Sequence, residues 1–317
     1  MKSLLKFFKI TGIVLVCLIL LGLIGGFIFL KTFDIKKYKI QIITAAAKAL
    51  GRQVNFNDIQ LRVSLKEGIK FHVTDLTVSE NPEFAKGDFA KVKEIFIGLD
   101  LLSFINARQV SVPNILIKSP EIIIIRNSAG VLNVQSIGSS QSVNGASVQQ
   151  SSSSNAAALP AIFINSLRIE EARLNYIDQT VNPSFESSVS QLDIKVDHFS
   201  LNKPFNFAIE GAVLSPQRNL KIDGNADLNV LAKEVRLSGV HVAVDLGQFP
   251  LADLRRLPLL KGVPIPELLE GKYKGTIKEC VLSDKGIGAL TLDSQLDSGR
   301  ILMKEVAPGI SVDVSAI

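Results

Sequence analysis

Cysteine is nearly absent from this chain of 317 residues: there are two, Cys17 and Cys280. Cys17 sits inside a long apolar run far from Cys280, which argues against an intramolecular disulfide, and Cys280 reads as a small strand residue rather than a nucleophile. Histidine is as scarce. His72, His198 and His241 fall in three separate runs. No H-x-x-x-H, C-x-x-C or H-E-x-x-H spacing occurs, so a zinc site has little support. The G-x-S-x-G elbow and the phosphate-binding loop are missing as well. The adjacent acids Glu170 and Glu171 would point to opposite faces of a strand and make no catalytic dyad. With no nucleophile, base and orienting group to assemble, the expectation is a protein that is not an enzyme and needs no cofactor or metal.

Basic runs interleaved with aromatics are also missing. The formal net charge is +5. Setting aside Lys2, Lys6 and Lys9 leaves 32 basic residues of the 35 against 30 acidic ones. The body of the chain is therefore nearly neutral, and nucleic acid is not an expected partner.

What the chain does have is apolar surface: 47% hydrophobic residues and a mean hydropathy of +0.29. Part of it is concentrated in Ile10–Leu30, 21 residues without a charge, long enough to cross a bilayer as a helix. No small-residue cleavage pattern follows it, so it reads as an uncleaved transmembrane signal anchor. Lysines flank both ends, so the positive-inside rule does not set the orientation. The short N-terminus makes residues 1–9 cytoplasmic in the simpler topology, with the bulk of the chain beyond the membrane.

After the anchor, residues 31–137 open with a short helix over "IKKYKIQIITAAAKAL", stopped at Gly51. The period then changes to two. Ile59, Leu61, Val63 and Leu65 face one way, and Ile69, Phe71 and Val73 answer them across a turn, as in a hairpin. Ile95, Ile97, Leu99 and Leu101 repeat the pattern. "ARQVSVPNILIKSPEIIIIRNSAGVLNV" reads as three strands, with Pro113 and Pro120 at a strand end, an edge or a bulge. Residues 138–160 are rich in Ser, Gln and Ala and read as a linker or long exposed loop. Residues 161–317 resume the alternation: Leu192, Ile194 and Val196, then Phe205, Phe207 and Ile209. "AIFINSLRIEEARLNYID" looks like two strands. "PLADLRRLPLLKG" and "PIPELLEG" suggest short helical turns. The expected fold class is mainly β: a transmembrane helix followed by an extended antiparallel sheet, either a curved groove or sandwich-like, with a few short helices and roughly fifteen to eighteen strands.

Each apolar sheet face must be covered. A second sheet would do it, and so would acyl chains held in an open trough; alternation alone does not separate the two. In the trough reading Ile95, Ile97, Leu99, Ile122, Ile124, Leu192, Ile194, Val196, Phe205, Phe207 and Ile209 line the groove. If all the strands stacked in one row it would reach roughly 70–85 Å.

Several segments carry a family resemblance. "RQVNFNDIQLRVSLKEGIKFHVTDLTVSENPEF", "VKEIFIGLDLLSFI" and "VPNILIKSPEIIIIRNSAGVLNV" resemble the N-terminal part of the AsmA family. The shared pattern is Arg-x-Val-x-Phe opening a strand, a strand closing near Asn-Pro-x-Phe, and Pro-x-Ile-x-Ile-x-Arg leading to Gly-x-x-Asn. The resemblance covers most of residues 1–215. It implies a single-pass inner-membrane protein of a bacterium with two membranes, its bulk in the periplasm. The role it implies is lipid handling or outer-membrane biogenesis, with an architecture similar to bridge-like lipid-transfer proteins. Membrane phospholipid and outer-membrane assembly proteins are the partners it implies. The alternative is a membrane-tethered scaffold with closed sheets and protein partners.

Overall fold

The computed structural model describes residues 34–64, 68–100, 111–138, 163–200, 203–229, 232–257, 265–283, 286–307 and 310–315. The predicted membrane span at 10–30 and almost all of the predicted linker lie outside these. Among the described residues no helix is long and apolar enough to cross a membrane.

A 3-10 turn, Ile35–Tyr38, opens the described chain and runs into helix α1, Lys39–Leu50. Asp34 caps the turn by accepting from the Lys36 amide. Gly51 ends α1 in the left-handed region at φ 66°, a conformation glycine adopts without the Cβ clash, so the predicted helix and stop are both present. Another short helix, α2, spans Leu251–Arg256, inside the first of the two predicted helical turns. The second is corrected: the "ELLEG" segment enters strand β11, Leu268–Ser283.

Everything else of size is strand. The first five are β1 (Val54–Asn55), β2 (Asp58–Ser64), β3 (Gly68–Ser79), β4 (Asp88–Leu99) and β5 (Ser111–Arg126). They continue as β6 (Phe163–Asp178), β7 (Phe185–Ser200), β8 (Phe205–Val213), β9 (Leu220–Asn229) and β10 (Glu234–Asp245). After β11 come β12 (Gly286–Ala307) and β13 (Ile310–Ser315). All belong to one 13-stranded sheet whose order follows the chain, with β1 and β2 both pairing with β3. The expected hairpin is there in the expected register: Ile59 opposite Val73, Leu61 opposite Phe71, Val63 opposite Ile69.

Three expectations need correcting. The sheet is mixed, because β5 and β6 run parallel from Ser111/Phe163 to Arg126/Asp178. A parallel neighbour needs a crossover of a dozen residues or more, and the stretch between Arg126 and Phe163 supplies it. The sandwich alternative also fails, since the described strands form a single sheet and its first and last members do not pair with each other. Finally, the strands are fewer and longer than expected. Runs that read as two or three strands are single 16-residue strands, β5 and β6. Pro113 and Pro120 lie inside β5, and Pro120 sits where the β5–β6 ladder skips from Lys118/Glu170 to Glu121/Arg173. A residue with no N–H to donate fits such a break.

Full burial is confined to a few places, chiefly the end of the sheet nearest α1. Val54, Phe56, Ile59, Val78, Ile125, Ala172 and Phe185 are buried there or nearby. Cys280 is a buried strand residue of β11, as expected from its size.

Candidate functional site

Residues directly opposite one another in a ladder share a face of the sheet. Followed across the ladders, one register row runs through Ile59, Val73, Ile95 and Ile117 on β2 to β5. It continues through Ile169, Ile194, Ile209, Ile222 and Val242 on β6 to β10. Nine consecutive strands thus place a β-branched aliphatic side chain in one line. A second row alongside it is Leu61, Phe71, Ile97, Ile115, Leu167, Val196, Phe207 and Gly224. The eight inter-strand steps of the first row cover about 38 Å at ~4.8 Å each, shorter than the 70–85 Å expected from stacking every strand. The row stops because Val242 faces Gly275 on β11, which in turn faces Ser294 on β12.

Burial shows what covers this face. Ile59 is buried, at 5% exposure, but every later member of the first row is only half-buried. Facing a second sheet across the usual spacing of about 10 Å, these side chains would interdigitate and be shut from water. Here, among the described residues, they are covered by their neighbours in the rows and by nothing above.

The opposite face is polar and its charges compensate in register. Lys118 pairs with Glu94. Arg218 reaches Asp193 at 2.6 Å and Glu171 at 3.4 Å. Lys221 pairs with Glu210, His241 with Asp223, Lys274 with Asp297 and Lys278 with Asp293. Exposed pairs of this kind contribute about 0–1 kcal/mol each; they keep this face wetted and near neutral. The three histidines stay on three strands. His72 stacks on Phe96 with ring centroids 4.2 Å apart. Among the described residues no group of His, Cys, Asp and Glu comes together as a metal site.

The eleven residues predicted to line a groove divide into two sets. Ile95, Ile194 and Ile209 share the first row, and Ile97, Val196 and Phe207 share the second. Leu99 stands opposite Ile69, and Phe205 opposite Ala226, each one position further along its strand face. Leu192 lies two residues from Ile194 on the row side of Gln191, opposite the buried Ala172; Ile122 and Ile124 are not brought to these rows. They lie beyond a line of residues in the left-handed region: Asp75 on β3 (φ 52°), Ser119 on β5 (φ 47°), Glu171 on β6 (φ 56°) and Gln191 on β7 (φ 48°). Thr74, Glu94, Lys118 and Glu170 form one register row, and the next residue of β3, β5 and β6 is the left-handed one. The pairing slips here between β6 and β7, and bulges of this kind deflect a strand. We call this line the crease. Beyond it Ile122 faces Ala90 and Leu174, and Ile124 faces Tyr176.

Past the crease the packing closes around a polar knot. The Arg52 guanidinium donates to Glu80 Oε1 at 2.6 Å, Asn133 O at 2.7 Å and Ser136 Oγ at 2.8 Å. Asn133 Nδ2 donates to Glu80 Oε2 and to Ile123 O, and Asn133 Oδ1 accepts from the Ile125 amide at 3.0 Å. All three side chains are buried: Arg52 6%, Glu80 5%, Asn133 0% exposed. The geometry explains Asn133. Strand β4 stops pairing with β5 at Ala90/Ile122, and the asparagine amide takes the absent strand's place against Ile123 and Ile125. Arg52 and Asn133 belong to the Arg-x-Val-x-Phe and Gly-x-x-Asn motifs. Glu80, just before Asn-Pro-x-Phe, was missed; an acid closing a strand ahead of that turn was the signal.

The four-isoleucine run Ile122–Ile125 is therefore mostly structural. Ile125 is 3% exposed, and the turn after it is closed by Gly130 at φ 82°, whose amide donates to Asn127 O.

A family model described as AsmA family matches residues 4–254, which is most of the chain. No curated protein matches it.

Proposed function

The chain belongs to the AsmA family, and from that premise we propose that it is a non-enzymatic lipid-handling factor of a bacterial inner membrane. In this reading Ile10–Leu30 anchors it and the bulk of the chain lies in the periplasm, serving outer-membrane biogenesis. The observation that carries the proposal is the pair of apolar rows on a face that, among the described residues, nothing covers. Such a face is costly in water and suits acyl chains, each CH₂ shielded being worth about 0.8 kcal/mol. Two rows side by side make a track about one side chain deep, and the charge-compensated opposite face suits it to water.

The test is site-specific photocrosslinking of the full chain in cells. A benzophenone amino acid at Ile194, on the row, should yield phospholipid adducts by mass spectrometry. The same probe at Lys195, on the opposite face, should not. Equal labelling at both, or at neither, would sink the track. Ile194→Asp should abolish lipid association while the fold persists, because the side chain is only half-buried; unfolding would favour a closed core instead.

A second reading, a scaffold for outer-membrane assembly proteins, draws on one observation. Among the described residues β13 pairs with β12 only from Arg300 to Ala307, and the earlier part of β12 carries exposed Ile287, Leu290 and Leu292. Adducts to protein rather than lipid from a probe at Leu290 would favour it.

A further inference from the structure

Helix α1 and the turn before it have a composition the sheet does not use. From Ile35 through Asn57 there are four lysines and one arginine and no acidic residue. The helix, "KIQIITAAAKAL", contains no buried residue at all. Its covered side is Ile42, Ile43, Ala46, Ala47 and Leu50; its exposed side runs Lys37, Ile40, Gln41, Thr44, Ala45 and Lys48. Ile40 is 76% exposed and Tyr38 46%. An isoleucine this exposed between lysines is poorly placed for a free surface. The helix's main apolar side is already covered, and Ile40 and Tyr38 at the margins of its exposed polar side suit the boundary between headgroups and acyl chains, where single apolar and aromatic side chains insert and neighbouring cations meet anionic lipid.

Chain connectivity narrows the occupant. Leu30 ends the uncharged run and Ile35 begins the turn; these five residue steps reach at most about 17 Å when extended. The helix is also fixed to the sheet. Lys36 Nζ lies 3.0 Å from Asp58 Oδ1 and Lys39 Nζ donates to Asn57 O at 2.8 Å. Lys48 and Lys86 line an open cleft of about 710 Å³ at the far end of the helix, so positive charge continues along this side.

We propose that Ile35–Tyr38 and α1 lie on the membrane surface, with Tyr38 and Ile40 inserted at the headgroup boundary and Lys37 and Lys48 engaging anionic headgroups. This rests on the reading of Ile10–Leu30 as the anchor, and it is independent of the lipid track. Docked this way, the helix sets β2, and with it the Ile59 end of the first row, next to the bilayer.

The experiment uses the full chain carrying Cys17→Ala and Cys280→Ala, with a single environment-sensitive label on Ile40→Cys or, as the water-exposed comparison, Lys278→Cys. It is reconstituted into phosphatidylcholine vesicles with or without phosphatidylglycerol. The label at 40 should be quenched by shallow doxyl lipid and shielded from aqueous iodide, and the label at 278 the reverse. Lys37→Gln and Lys48→Gln should each shift the docked-to-undocked ratio about fivefold toward water in the phosphatidylglycerol vesicles. Iodide access at 40 equal to that at 278 overturns the proposal. So does shielding from iodide without lipid quenching, which would mean that another segment of the chain covers the helix. A chain that fails to float with the vesicles overturns both anchor and docking, whereas the Ile194 crosslink reports the track separately.

Discussion

Arg52, Glu80 and Asn133 form an ion pair and an amide with almost no water contact, so removing one member leaves charge or hydrogen-bonding capacity stranded. Arg52→Met should destabilise the protein by about 3–5 kcal/mol, because Glu80 is left buried and uncompensated. Arg52→Met combined with Glu80→Leu should recover much of that loss, and the double-mutant cycle in urea checks it. Additive losses would mean that the two side chains do not act as a pair. Asp178 is a second buried acid, 1% exposed. Burial alone would raise its carboxyl, but hydrogen bonds from Thr180, then Tyr176, and the Arg126 charge outweigh it and hold the carboxyl below its ordinary range. A depressed carboxyl contributes stability above its unfolded pKa and loses it as the pH falls through the folded one. Urea midpoints should therefore drop on acidification below the ordinary aspartate range, and Asp178→Asn should flatten that part of the profile. The motif residues Arg52 and Asn133 were legible in the sequence as a pattern, yet their work was not. Nothing local says that Asn133 meets Arg52 and Glu80, because the contacts join residues 53 to 81 positions apart.

Strand by strand, alternation located the apolar positions well wherever both neighbours were antiparallel and regular, as in β2, β3 and β4. It failed at the crease. At Asp75 and Glu171 the period-two pattern slips by one, since Val73 and Leu76 stand three positions apart across Thr74–Asp75, as do Ile169 and Ala172 across Glu170–Glu171; that slip is a signal the alternation reading passed over. The Ser119–Pro120 pair carried one too, read as a boundary between strands when it is a break inside a single strand. Left-handed backbone costs an L residue roughly 1–2 kcal/mol. Ser119→Gly should therefore be neutral or stabilising by up to about 1 kcal/mol, since glycine relieves the clash and loses part of the gain to chain entropy. Ser119→Val should be clearly destabilising, as β-branching opposes this region. Thermal melts of the pair decide it: a valine variant as stable as wild type would show that the crease carries no strain.

Across the whole molecule, the parallel β5–β6 junction was the topological feature that the strand composition concealed. The linker between them was visible, but its composition says only that it packs poorly, and a long connection serves a hairpin or a crossover equally. From β3 onward each strand of the sheet pairs with those just before and after it in the chain. Such a structure behaves as a one-dimensional array in which stability is a sum over adjoining interfaces. Hydrogen exchange should accordingly be graded, with β12 and β13 opening first and β3 to β6, flanked on both sides, last. Uniform protection from end to end would mean a single cooperative block.

That ordering bears on how the chain can be shortened or lengthened. Since β8 and all the strands after it lean only on near neighbours in sequence, an antiparallel hairpin added or removed at the β13 end leaves the Arg52–Glu80–Asn133 knot, the crease and the helix untouched. The reach of the sheet is in this sense a gene-length variable: about 10 Å for every two strands, adjustable in whole hairpins without redesigning what came before.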